Sequence, residues 1–257
     1  MPAQNQSSEP CQDTVLINDW HVVARSRDLP EGKILKVRVL GEDLIVWRHG
    51  GEVMAWKDLC IHRGSRLSLG WIEDGQIVCP YHGWHYDSSG ACTLMPAQPN
   101  TTPPAKARAF THRAKEQYDW IWVSLGDPTH DIPPFFQWDD PNFRKFQAGP
   151  YYYRANGFRT IENFVDPSHF PFVHAGINGV ASDADIIDRY EVHRDEHGLR
   201  TDEIWVYQPY GDHRAVPVDA GYVYRCFRPL TAYFDKHVIV KDGTGGNDDR
   251  FCMMTTV

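Results

Sequence analysis

The sequence predicts an α+β protein in two parts: an N-terminal antiparallel β domain, then a domain in which a helix packs on a curved antiparallel sheet. Three observations carry this. Short runs of alternating apolar and polar residues, separated by glycine turns, fill the first half. Pro128, Pro133, Pro134 and Pro141 interrupt the middle, a composition that resists both helix and ladder. A helical run within Arg159 to His174 then precedes a second series of strand-like segments.

Residues 1–13 are a polar tail. Trp20 to Ala24 reads as a first strand, and Lys33 to Leu40 alternates Leu35, Val37 and Val39 with Lys36 and Arg38, a half-exposed strand. Gly41-Glu42-Asp43 turns the chain into Leu44 to Trp47, and Gly50-Gly51 turns it again into Val53 to Trp56. Gln76 to Val78 and Trp120 to Val123 complete a β domain over residues 14–127, with a turn at Ser88-Ser89-Gly90. A proline-rich linker covers 128–142, and a second domain covers 143–257. Its expected strands are Ile186 to Val192, Leu199 to Tyr207, Tyr222 to Phe227, His237 to Val240 and Phe251 to Val257, with turns at Glu196-His197-Gly198 and Asp242-Gly243.

At 257 residues, with 42% apolar and 23% charged residues, the chain has the composition of a globular protein with real cores. A formal net charge of −8 and the absence of a basic stripe exclude a nucleic-acid surface, which needs clustered Lys and Arg. No apolar run approaches the ~20 residues of a membrane span, and the tail lacks the regions of a signal peptide, so a cytoplasmic location is expected. Cys11, Cys92, Cys226 and Cys252 show no paired spacing and read as free or buried thiols.

Two short ligand pairs organise the first domain: Cys60-Ile61-His62 and Cys79-Pro80-Tyr81-His82, with sixteen residues between them. A two-iron, two-sulfide centre of mixed ligation needs two thiolates on one iron and two neutral imidazoles on the other. Each pair supplies one of each. Zinc accepts the same residue types, but finger and ribbon sites pair like ligands two to four residues apart, and the one-residue gap between Cys60 and His62 suits them poorly. Four unrelated core residues are the remaining alternative.

Cys60-Ile61-His62-Arg63-Gly64 and Cys79-Pro80-Tyr81-His82-Gly83-Trp84 resemble the cluster signature of Rieske-type oxygenases. Respiratory Rieske proteins add a cysteine to each loop and join the two; Ser65 and Tyr81 stand near those places here, which points toward an oxygenase or ferredoxin. Downstream, Asn163-x-x-Asp166-x-x-His169-x-x-x-x-His174 resembles the mononuclear iron segment of the same family. Read without the resemblance, Asp166-Pro167 is a helix cap with proline at the first position, and the two His are satisfied core residues. On a straight helix an offset of five turns the two rings apart by about 140°; a kink at Pro171 is expected to rotate them toward one point.

The resemblance implies that His169 and His174 ligate iron in a two-His, one-carboxylate site. It makes Asp166 the carboxylate connecting cluster and iron and puts Asn163 beside it. The family's third ligand lies much farther beyond the second His than the 83 residues that follow His174, so the resemblance also implies that the family's C-terminal portion is missing. Asp183, Asp185, Asp188, Asp195, Asp212 and Asp235 do not match the family's motif, and that ligand stays unassigned.

The activity implied is that of a terminal oxygenase: electrons from a reductase or ferredoxin, and ultimately NAD(P)H, pass through the Rieske [2Fe-2S] cluster to mononuclear Fe(II). There O₂ is activated to hydroxylate or O-demethylate a small aromatic or cyclic substrate, and ring dihydroxylation stays open. A head-to-tail homotrimer is the expected assembly. The alternative is a Rieske-type electron carrier with an inactive second domain.

Overall fold

The computed structural model describes residues 10–184, 186–210, 215–228, 230–240 and 250–257. Most of the tail, the Asp242-Gly243 turn, Asp185 and Asp212 lie outside them. The chain forms two compact units, Met1–Ile132 and Pro133–Val257, dividing within the proline-rich stretch.

In the first unit, α1 (Thr14–Ile17) is a single turn capped by Asp13, whose carboxylate accepts from the Val15 N–H. The strands are β1 (His21–Arg25), β2 (Ile34–Val39), β3 (Glu42–His49), β4 (Glu52–Lys57), β5 (Trp71–Glu73), β6 (Gln76–Val78), β7 (His85–Tyr86), β8 (Cys92–Leu94), β9 (Thr111–Gln117) and β10 (Trp120–Ser124). They make an antiparallel six-stranded sheet in the order β1-β10-β9-β4-β3-β2 and a four-stranded sheet β5-β6-β7-β8. Strand β3 explains how the first sheet is buried. Ile45 and Trp47 enter one apolar cluster and Leu44 and Val46 another, so both faces are covered and the strand reads as a continuous apolar run.

The β2–β3 turn falls one residue earlier than its sequence suggests. Val39 pairs with Glu42, and Leu40 (φ 50°) and Gly41 (φ 86°) form a tight two-residue turn, leaving Glu42 and Asp43 in the ladder.

Among its described residues the second unit contains α2 (Gly157–Phe164), α3 (Phe170–Val173) and six strands: β11 (Val192–Asp195), β12 (Gly198–Thr201), β13 (Ile204–Gln208), β14 (Val218–Arg228), β15 (Thr231–Val240) and β16 (Arg250–Thr256). The sheet runs β11-β12-β14-β15-β16, with β13 also on β14. Its inner face packs Val206, Ala220, Tyr222, Tyr224, Phe234 and Val238 against Phe170.

Three expectations need correction. The single helix within Arg159 to His174 is two, because Pro167 disfavours helical backbone at Asp166 and Asp166 turns onto Ser168 instead. The strand expected at Ile186 to Val192 begins only at Val192, and Ile186 is exposed. The run Leu199 to Tyr207 breaks at Asp202-Glu203 into β12 and β13. Among the described residues no helix is long and apolar enough to cross a membrane.

Candidate metal centres

The two ligand loops of the first unit share one backbone frame. The Cys60 N–H donates to Ser65 O (2.7 Å) and the Gly64 N–H donates back to Cys60 O (2.8 Å). The Cys79 N–H donates to Trp84 O (2.9 Å) and the Gly83 N–H back to Cys79 O (2.9 Å). Each loop is thus a closed turn with Cys at its start and, four residues on, Gly in the left-handed region (φ 72° and 69°) that a side chain would strain. The sequence offset differs by one residue, His62 being second after its Cys and His82 third after its own.

The imidazoles meet. The rings of His62 and His82 lie 4.6 Å apart, and Trp84 stacks flat on His62 at 4.3 Å and 7°. His62 Nδ1 is buried with no hydrogen-bond partner, a costly state unless something else satisfies it. Burial, then the charges of His82 and Arg63, hold His62 below its ordinary pKa, favouring the neutral ring that binds metal.

The thiols sit deeper. Burial pushes the Cys60 thiol up, the Tyr86 hydroxyl and the His62 N–H pull it down, and the neighbouring Cys79 thiol raises it again. Tyr86 Oη lies 3.2 Å from Cys60 Sγ. The loop's far side is pinned by Asp58, whose buried carboxylate accepts from the Ser68 N–H and hydroxyl at 2.7 Å each.

Among the described residues no three His, Cys, Asp or Glu side chains close around one point. The adjacent His62 and His82 rings and the neighbouring Cys60 and Cys79 thiols suit a two-iron cluster, and the unpartnered His62 Nδ1 fits a ligand atom.

In the second unit, α2 starts on Asn156, whose side chain caps the Arg159 N–H. Asn163 is exposed on α2. After α2, Asp166 Oδ1 accepts from the Ser168 N–H (2.8 Å) and hydroxyl. His169 then caps α3, with Pro171 in its first turn, where a missing N–H costs nothing. The rings of His169 and His174 lie 5.1 Å apart. The cause differs from the expected kink: α3 is one turn long, and His174 already lies beyond its end.

Asp166 Oδ2 stands 3.6 Å from His169 Nδ1, just outside hydrogen-bond reach, so that buried nitrogen has no partner. Burial pushes the Asp166 carboxyl up, but Ser168 and His169 outweigh it and hold it below its ordinary value.

Among the described residues no further carboxylate joins His169 and His174 to complete a three-ligand site. Asp195 is bound to Arg225 and Asp235 to Arg250, while Asp188 is exposed. Sequence reasoning gave no role to Tyr86, Trp84 or Asp58. Trp84 and Tyr86 follow His82 within four residues, and only the folded loops show what they touch.

Residues 19–110 match the family described as the Rieske [2Fe-2S] domain, and 153–256 match the vanillate O-demethylase oxygenase C-terminal domain. Methylxanthine N1-demethylase NdmA of Pseudomonas putida is 41% identical over 165 residues, 61% of this chain and 47% of the relative. The chain therefore spans about half the length of that protein. The vanillate O-demethylase oxygenase subunit of a Pseudomonas species is 30% identical over 82% of this chain and 67% of its own. The solved structure of a P. putida NdmA variant with caffeine superposes with a TM-score of 0.73 at 31% identity, covering 87% of this chain and 68% of the other.

Proposed function

The chain belongs to the Rieske-type oxygenases, and from that premise we propose that it is the terminal oxygenase of a system that demethylates or hydroxylates a small ring compound. The observation that carries the proposal is the meeting of two matched loops, with His62 beside His82, Trp84 stacked on the His62 ring, and a buried His62 Nδ1 that has no hydrogen-bond partner. Cys60 and Cys79 would hold one iron of a [2Fe-2S] cluster and His62 and His82 the other. His169 and His174 would hold a mononuclear iron, its third protein ligand unassigned. When bound, the cluster supplies electrons one at a time and the mononuclear iron supplies the centre at which O₂ is activated.

The chain's own residues then have definite tasks. Trp84 fixes the plane of His62, and Tyr86 donates to the Cys60 sulfur. Asp166, ionised at neutral pH, stands 3.6 Å from His169 Nδ1, and a small approach would let it accept that proton, fixing the tautomer and leaving Nε2 for metal. Asn163 stands on the helix preceding Asp166.

Substrates follow from the relatives: N-methylated purine-diones as for NdmA, or methoxylated aromatics as for vanillate O-demethylase. A reductase or ferredoxin is the proposed electron source, the cytoplasm the proposed location and a head-to-tail homotrimer the proposed assembly; fully coupled turnover by a monomer would contradict the last. Iron and acid-labile sulfide analysis tests the whole reading. Three irons and two sulfides per chain, with the paramagnetic signal of a half-imidazole cluster on reduction, support it; two irons indicate a carrier, and an iron-free protein ends it.

A further inference from the structure

On a chain of net charge −8, one face beside the first ligand loop carries the opposite sign. Lys36 and Arg38 stand two apart on β2 and so share a face. Asp43, paired with Arg38 across the β2–β3 ladder, receives Arg38 at 3.2 Å, Lys36 at 3.8 Å and Arg66 at 3.0 Å. Three cations, each more than a third exposed, thus converge on one carboxylate that is mostly covered.

The other acids nearby cancel the excess only in part. Asp58, 3.6 Å from Arg66, offsets one charge, and Glu42 is paired with Lys57, so Lys36, Arg38 and Arg66 still outnumber the two carboxylates they meet, Asp43 and Asp58. Although burial pushes Asp43 up, Arg66, Lys36 and Arg38 hold it ionised, so its single charge is fully counted. Arg66 follows Ser65, whose carbonyl closes the Cys60 turn, and Arg63 is exposed within that turn. The positive face is therefore continuous with the loop that carries Cys60 and His62.

We propose that Lys36, Arg38 and Arg66 form the docking surface for an acidic electron-carrier protein, which gives one electron to the cluster held by the two loops and is itself oxidised by one. The inference rests on reading those loops as a cluster site. Surplus surface charge next to a redox centre raises the encounter rate of an oppositely charged partner and is screened by salt.

The test is stopped-flow reduction of the iron-loaded chain by a reduced plant-type [2Fe-2S] ferredoxin, an acidic carrier. The double variant Lys36→Glu/Arg38→Glu is expected to be reduced roughly tenfold more slowly at low ionic strength. The gap should close near 1 M salt, where the screening length falls to about 3 Å. Lys36→Gln/Arg38→Gln, which disturbs the hairpin less, should show an intermediate loss. Equal rates for parent and variants at low salt overturn the proposal. Photoreduction with neutral 5-deazariboflavin separates the two layers of argument. Unchanged photoreduction of the variants places the defect in docking, whereas a parent chain with no reducible chromophore overturns the cluster reading and the docking surface together.

Discussion

The Tyr86 hydroxyl is buried against the Cys60 sulfur at 3.2 Å, and a hydrogen bond to a cluster ligand stabilises the reduced, more negative state. Tyr86→Phe keeps the ring that packs on Trp56 and removes only that bond. A net hydrogen bond of about 1 kcal/mol corresponds to roughly 45 mV for a one-electron couple. The midpoint potential should therefore fall by that order in a redox titration, with the cluster still assembled. Asp166 permits a second prediction: Asp166→Asn should bind both metals yet lose roughly 10–100-fold in turnover, because a ligand's partner is lost and not the ligand. The pH dependence has a definite sign. The folded carboxyl titrates below its ordinary 3.8, so its contribution to stability is complete above that value and is lost as pH falls through the lower one. The metal-free chain should lose stability below pH 4, and Asp166→Asn should lose less, as followed by thermal unfolding. Since the carboxylate is nearly half exposed, the difference should shrink in high salt.

Between β4 and β5 the chain passes very close to the second ligand loop at Gly70. A Cβ there would lie 2.1 Å from Val78 O and 3.1 Å from Leu67 O, although its backbone (φ −86°) is ordinary. Gly70→Ala should cost about 1–3 kcal/mol by overpacking and, by parting the loops, lower iron and sulfide content. Differential scanning calorimetry and metal analysis read the two effects. The ligands at this scale were legible because each ligand Cys is followed by His within three residues and by Gly at the fourth, and the turn at Gly50-Gly51 because two glycines take left-handed backbone. The short strands β5, β7 and β8 were not, since two or three residues carry no period. Strand β9, Thr-His-Arg-Ala-Lys-Glu-Gln, was hidden by its polarity: it is held chiefly by its ladders to β10 and β4. The divided helix was misread because apolar residues stand on both sides of Pro167, Phe164 and Val165 before it and Phe170 and Phe172 after it, so the break carries no change of apolar content.

For the molecule as a whole, the division at Ile132 puts the two candidate centres in separate units. Stripping iron with a chelator should deprotect amides around 58–70 and 78–86, because ligation supplies folding free energy to the loops it closes. Amides of β14 and β15, in the core of the other unit, should keep their protection; hydrogen exchange with mass spectrometry distinguishes the regions. The two-part α+β plan was visible in the prolines and the strand periods, while the lengths of β14 and β15 were not, because Arg, Asp and Lys interrupt runs whose tyrosines and phenylalanines are buried. The flat contact of Trp84 on His62 gives the chain an optical gauge. An indole touching a ligand ring loses its emission to a nearby absorbing cluster, so near-ultraviolet fluorescence should brighten as iron leaves, and Trp84→Phe should remove most of that rise.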